Sequence, residues 1–335
     1  MKKILNDPFE FVNDMMKGII AAHGDAYKLV DNDPKCLVRS SSPIAGKVAV
    51  ATGGGSGHLP VFLGYVGDGL VDGCSVGNVF SSPTARQMLK VTRAIDSGAG
   101  ILYLYGRYQG DVMNFEKAAE MAREEGIQVE TLTVSDDVAS SPPDQWENRR
   151  GIAGLFFAYK VAGAKARMGA PLQDVKETTQ KALKVIRTLG IATSSCILPA
   201  VGKKTFDIED DKMEIGMGIH GEAGIERTQM KSSREIAQIL VDAVAEDLPF
   251  SSGDDVAILV NSLGGTPLEE LYVLYGDIVP LMEERGLHIY KKYVGRFACS
   301  MEMQGVSLTM MKLDDELKEL MDAAVDTPIL NSLSQ

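Results

Sequence analysis

Apolar and polar positions alternate along this chain with two periods, and the switches between them mark its elements. After Asp7-Pro8, FEFVNDMMKGIIAAHG (9–24) carries apolar residues at helical spacing and closes on Gly24. KVAVAT (47–52) is a short β-rich run leading into GGGSGH, and residues 70–76 form a second apolar run. SPTARQMLKVTRAIDSG (82–98) reads as a capped helix, AGILYLYG (99–106) as a buried strand, NFEKAAEMAREEG (114–126) as a helix and IQVETLTVSDD (127–137) as a strand. This recurrence of strand, loop and helix predicts an α/β domain with a largely parallel sheet. Helical stretches follow at 152–168 and in PLQDVKETTQKALKVIRTLG (171–190), and a domain boundary is expected where the second ends.

Beyond it the alternation resumes. KSSREIAQILVDAVAEDL (231–248) and PLEELYVLYGDIVPLMEERG (267–286) are helical, with DDVAILVNSLGG (254–265) between them as strand and turn. LHIYKKYVG (287–295) is a strand, and residues 305–312 with LDDELKELMDAA (313–324) supply a final strand and helix. The expected fold is therefore two α/β domains, each a sheet with flanking helices, over 1–190 and 191–335.

The totals narrow what such a protein does. A length of 335 residues fits about two domains, and 34 Lys and Arg against 46 Asp and Glu give a net charge of −12. That charge repels phosphate backbones and anionic lipid, so neither nucleic acid nor a membrane is an expected partner. Cys36, Cys74, Cys196 and Cys299 are far apart and form no CxxC. Met1-Lys2-Lys3 opens on no apolar signal region, and the apolar runs at 99–105 and 151–159 fall far short of the roughly 20 residues a membrane span requires. A cytoplasmic protein with reduced, mostly buried thiols is expected.

Three glycine-rich places are candidates for chemistry. GGGSGHLP (53–60) follows a predicted strand, where backbone N–H groups can hold an anion or a substrate oxygen. It lacks the Lys-Ser/Thr of a Walker A loop, and His58 stands where both G-x-G-x-x-G and G-x-S-x-G need their last glycine. Taken alone it reads as a ligand loop of weak specificity, with a merely tight turn as the lesser alternative. YGRYQGDVMNFE (105–116) lies at the carboxyl end of another strand, the edge where ligands gather in open α/β sheets. Its Asp111 precedes the predicted helix and could simply be an N-cap. MEIGMGIHGEAG (213–224) sets His220 among four glycines, either as an exposed turn residue or as a group that touches a small molecule. His58, Asp111 and His220 make a plausible acid–base set, while the potential metal ligands are too dispersed for a zinc pattern. His23 at a helix end, His288 at a strand start and Trp146 in a polar loop are expected to be structural.

Six stretches in order resemble the dihydroxyacetone-binding subunit of dihydroxyacetone kinases. They are GGGSGH, GDVMNFE, RRGIAG (149–154), MEIGMGIHGEAG, VNSLGGTP (260–267) and VGRFACSMEMQG (294–305), the last followed by SLTMMKLDDEL. The resemblance runs from about Leu5 to Leu313-Asp314-Asp315. It implies two α/β domains and a homodimer. It also implies that His220 attacks the ketone of a short ketose and holds it as a hemiaminal, that His58 hydrogen-bonds the substrate and assists, and that Asp111 accepts the hydroxyl proton during phosphoryl transfer. The backbone of Gly55 and Ser56, with Gly57 beside them, would hold ketose oxygens. No cofactor is implied in this chain. ATP, or ADP recharged by a phosphotransferase-system protein, is expected with magnesium on a separate nucleotide-binding subunit.

The chain departs from that family at Gly106, where a substrate-contacting lysine is usual, at Leu59, where Glu is usual, and at Ala223, where Pro is usual. A site without the lysine has room for a four-carbon ketose such as erythrulose beside dihydroxyacetone, unless Arg107 takes the lysine's place. Related subunits act as ketose-sensing coactivators of a transcription regulator, which is the alternative function.

Overall fold

The computed structural model describes residues 2–332. Met1 and residues 333–335, the outer ends of the two expected domains, lie outside the described residues.

Two six-stranded sheets dominate the structure. The first half contains α1 (Phe11–His23), β1 (Tyr27–Leu29), β2 (Cys36–Arg39), β3 (Ala49–Ser56), β4 (Gly73–Val79), α2 (Ala85–Ile95), β5 (Ile101–Gly106), α3 (Gln109–Glu124), β6 (Val129–Val134), α4 (Leu155–Arg167) and α5 (Leu172–Leu183). Then follow β7 (Ile186–Ala192), β8 (Lys212–Ile215), β9 (Glu226–Gln229), α6 (Ser233–Asp247), β10 (Asp255–Ser262), α7 (Leu268–Glu284), β11 (His288–Gly295), β12 (Gly305–Leu313) and α8 (Asp315–Asp322). A small hairpin of β13 (Val325–Asp326) and β14 (Asn331–Ser332) comes last.

The first sheet has the order β1-β2-β4-β3-β5-β6, and its β4-β3-β5-β6 stretch is parallel, as expected. The second, β11-β10-β12-β7-β8-β9, is parallel only between β10 and β11 and otherwise antiparallel. The predicted helix over 171–190 is corrected: it stops at Leu183, and residues 186–192 are β7, one of the two middle strands of the second sheet. Ile186, Thr188 and Ile191 are β-branched, and Gly190 packs without a side chain, so this run suits a pleated, doubly buried strand better than a helix.

Period-2 alternation assigns the faces. In the first sheet, Val50, Leu102 and Leu104 face inward, whereas Ala49, Ala51, Ile101 and Tyr103 face α2 and α3. In the second, Ala257, Leu259 and Met311 face the same inner core, and Val256, Ile258, Val260 and Met310 face α6 and α7. Helices α4, α5 and α8 fill the space between the sheets. Helix α4 is buried on nearly every side, from Leu155 through Ala164, because it touches both layers. This shared core fixes one sheet against the other and brings their loops together.

Candidate active site

Strand β3 explains the first glycine motif. Gly53, Gly54 and Gly55 lie in the strand itself, not in a loop after it. A Cβ on Gly54 would fall 2.3 Å from the Phe62 ring, and one on Gly55 would fall 2.6 Å from the Ser81 amide and 2.8 Å from Phe80 Cα. The bare backbone is thus required by close packing against Phe62 at Gly54 and against residues 80–81 at Gly55. The Ser56 hydroxyl is committed to Gly77 O at 2.7 Å, and its carbonyl accepts from the Phe80 amide.

His58, just past the strand, is 1% exposed. Its Nδ1 lies 2.7 Å from Cys299 O, which can only accept, so Nδ1 carries the proton and Nε2 is left with its lone pair. That Nε2 is buried without a partner. The ring stacks on Phe80 with centroids 4.9 Å apart. Burial above all, helped by neighbouring His220, pushes the His58 pKa down to about 3, so the imidazole is neutral.

The turn after β8 carries His220 to the same place from the second sheet. Its ring meets His58 edge-on at 4.6 Å, Tyr108 at 4.5 Å and Phe80 at 5.4 Å between centroids. Glu222, two residues on, contacts the same histidine twice: its Oε2 accepts the His220 amide at 3.0 Å and its Oε1 lies 2.9 Å from Nδ1. Burial pushes the Glu222 carboxyl up, but the hydrogen bond and charge of His220 outweigh it and hold it down at about 2.

Asp111 is the third residue of α3, whose N-cap is Tyr108, and no side chain caps this helix. The capping reading of Asp111 therefore fails: its carboxylate is free of the helix end, and Oδ1 is buried with no partner. Burial raises its pKa to about 6 against the opposing effects of a Ser82 hydrogen bond and the His220 charge.

His58, Asp111 and His220 are thus gathered where the carboxyl ends of β3 and β5 face the β8 turn. Gly57 belongs to the same seam, its carbonyl accepting from the Met301 amide at 2.7 Å. Gly106 ends β5, where a Cβ would lie 3.1 Å from Gly151 O and 3.3 Å from the Tyr108 ring. Arg107 is directed elsewhere: its guanidinium donates to Asn148 Oδ1 at 3.1 Å and lines a separate cavity of about 570 Å³ with Trp146 and Glu116. His288 pairs with Asp255 on an exposed edge, away from this cluster.

Sequence reasoning missed Glu222, Phe80 and Tyr108. The alternate spacing in His-Gly-Glu was a readable signal for a carboxylate turning back onto the imidazole. Phe80, in GNVFSSP, gave none. Among the described residues, no group of three or more His, Cys, Asp or Glu is placed to hold a metal ion, and no helix is long and apolar enough to cross a membrane.

A neutral buried imidazole, a second imidazole braced by a carboxylate and a buried carboxyl raised to about 6 are groups that can accept protons from a small polar molecule. Residues 17–329 match the model of the Dak1 domain, and the chain belongs to that family. It is 41% identical over 328 residues, covering 98% of each chain, to "PTS-dependent dihydroxyacetone kinase 2, dihydroxyacetone-binding subunit DhaK" of Listeria innocua serovar 6a. It is 42% identical to "D-erythrulose kinase" of Mycolicibacterium smegmatis, covering 98% of this chain and 56% of that protein. Among solved structures, "Dihydroxyacetone kinase operon co-activator Dha-DhaQ" superposes with a TM-score of 0.88 at 29% identity, covering 96% of this chain and 97% of that one.

Proposed function

We propose that this chain is the ketose-binding subunit of a dihydroxyacetone-type kinase, a phosphotransferase with an alcohol group as acceptor. His220 captures the ketone of a short ketose as a hemiaminal, and a partner nucleotide-binding subunit phosphorylates the terminal hydroxyl. The observation that carries this reading is a set of unmatched polar atoms. His58 Nε2, Asp111 Oδ1 and the Tyr108 hydroxyl are buried without partners around the His220 ring. Each such atom costs about 1–3 kcal/mol unless something bonds it. A polyhydroxylated ketose supplies hydroxyl donors for the first two.

In this reading the neutral His58 accepts from a substrate hydroxyl, and Gly55, Ser56 and Gly57 offer backbone to its oxygens. Asp111 takes the proton of the hydroxyl being phosphorylated, for which a carboxyl near pH 6 is well placed. Covalent capture selects ketoses over polyols and fixes the acceptor for in-line transfer. The phosphoryl group comes from ATP, or from ADP recharged by a phosphotransferase-system protein, with magnesium on the partner. Gly106 and the resemblance to an erythrulose kinase extend the substrate to four carbons. A homodimer in the cytoplasm completes the proposal.

The test is phosphorylation of dihydroxyacetone and erythrulose by this chain with its nucleotide-binding partner. Tight ketose binding with zero turnover would replace the enzyme with a ketose-sensing coactivator, the second reading, which the superposition on the co-activator structure supports.

A further inference from the structure

We infer that Glu222, held in place with Arg150, sets the tautomer of His220 and so makes its Nε2 the nucleophile. The inference rests on the capture reading only for what that nucleophile attacks.

The Glu222 carboxylate divides its oxygens between the amide and the ring of one residue, at 3.0 and 2.9 Å. This two-point hold fixes the ring's rotation as well as its proton. An ionised carboxylate only accepts hydrogen bonds, so the imidazole proton sits on Nδ1 and the lone pair on Nε2. Glu222 is itself placed. The Gly218 amide donates to its carbonyl, and a Cβ on Gly218 would lie 2.1 Å from Glu222 Oε2 and 2.8 Å from Arg150 Nη1. Only glycine lets the carboxylate and the guanidinium come this near the turn. Arg150 donates through Nε to Asp137 Oδ2 at 2.8 Å and through Nη2 to Gly216 O at 2.9 Å. Asp137 and Arg150 stand between β6 and α4, whereas residues 216–222 follow β8, so the turn is pinned across the two sheets.

The addition then balances within the site. The Nε2 lone pair forms the bond to the carbonyl carbon, and the C=O π pair moves to oxygen, which takes one proton from water. The alkylated ring, now cationic, releases its Nδ1 proton past Glu222, which stays ionised, to water, so one proton is gained from water and one returned to it. Glu222 is a positioning residue here, because it touches His220 and not the ketose.

Glu222→Gln supplies the test. A glutamine has one acceptor oxygen, and if that stays on the His220 amide its NH₂ faces Nδ1 and drives the proton to Nε2. The full chain labelled with 15N-histidine gives long-range 1H–15N spectra in which His220→Ala identifies the His220 signals. The wild type is expected as the Nδ1–H tautomer and Glu222→Gln as the Nε2–H tautomer. The His23 and His288 signals, which lie away from this cluster, should be unmoved, which shows an intact fold. Adduct formation with dihydroxyacetone should slow about 10- to 100-fold. Gly218→Ala, which displaces the same carboxylate, should do likewise. A wild-type Nε2–H ring, or a Glu222→Gln ring that keeps the proton on Nδ1 with an unchanged adduct rate, would overturn the inference. An Nδ1–H wild type that forms no adduct upholds Glu222's hold on the ring and refutes ketose capture instead.

Discussion

Asp111 is where stability and turnover should separate. Its carboxyl is 8% exposed, and burial holds its pKa at about 6 in place of the ordinary 3.8. The folded protein therefore binds this proton more tightly than the unfolded chain, and stability from this group is complete below pH 3.8 and lost as pH rises through about 6. At 1.36 kcal/mol per pH unit, the ionised group opposes folding by about 3 kcal/mol at pH 7.5. Asn has the same shape and no charge. Asp111→Asn should therefore stabilise the protein by about 1–3 kcal/mol at pH 7.5, the lower figure allowing for an amide with imperfect partners. Turnover should be lost while ketose binding persists. Urea titrations of both proteins at pH 7.5 and 4.5 measure it, and the gain should shrink markedly at the lower pH. A destabilised Asp111→Asn at pH 7.5, or a gain independent of pH, would refute the reasoning.

Other consequences follow from the same geometry. In the wild type, turnover should rise with pH through an apparent pKa near 6 as Asp111 ionises, measured in a steady-state pH profile with the partner subunit held saturating. Gly106→Lys must fit a Cβ 3.1 Å from Gly151 O, so it should cost about 1 kcal/mol in a thermal melt and lower the ratio of erythrulose to dihydroxyacetone phosphorylation. The Asp247 carboxylate pairs with both Arg149, which is 0% exposed, and Arg187. Asp247→Asn leaves those guanidinium groups without a counter-charge and should cost about 3–5 kcal/mol in urea denaturation, little changed by salt.

The elements with strong periodicity were legible in the sequence, and their physical cause is plain. The continuous apolar runs in DDVAILVNSLGG and AGILYLYG follow directly from sheet faces covered on both sides. Residues 184–192 were misread because the helical period of α5 runs up to a strand with only Lys184 and Val185 between them. Strands β8 and β9 are four residues each and carry too few positions for a period to show. The antiparallel order of the second sheet depends on pairings between distant segments, such as β12 with β7, that no local pattern records. At the site, histidine among glycines marked His58 and His220, because close backbone approach leaves a compositional trace. The partners of those histidines left almost none. Cys299 acts through its carbonyl, which any residue has, and Phe80 arrives from an unremarkable loop. Asp111 was visible, but the start of its helix was misjudged by a few residues, which left an N-cap as an alternative for a buried carboxyl with one unpartnered oxygen.

Covalent capture is the central claim, and intact-protein mass spectrometry tests it most directly. The chain is incubated with dihydroxyacetone or erythrulose and its spectrum recorded under native conditions, beside rapidly denatured controls and the His220→Ala variant. A mass increase matching one ketose, present in the wild type and absent in His220→Ala, is the expected result. No adduct with either sugar, or an adduct that survives His220→Ala, would contradict the account.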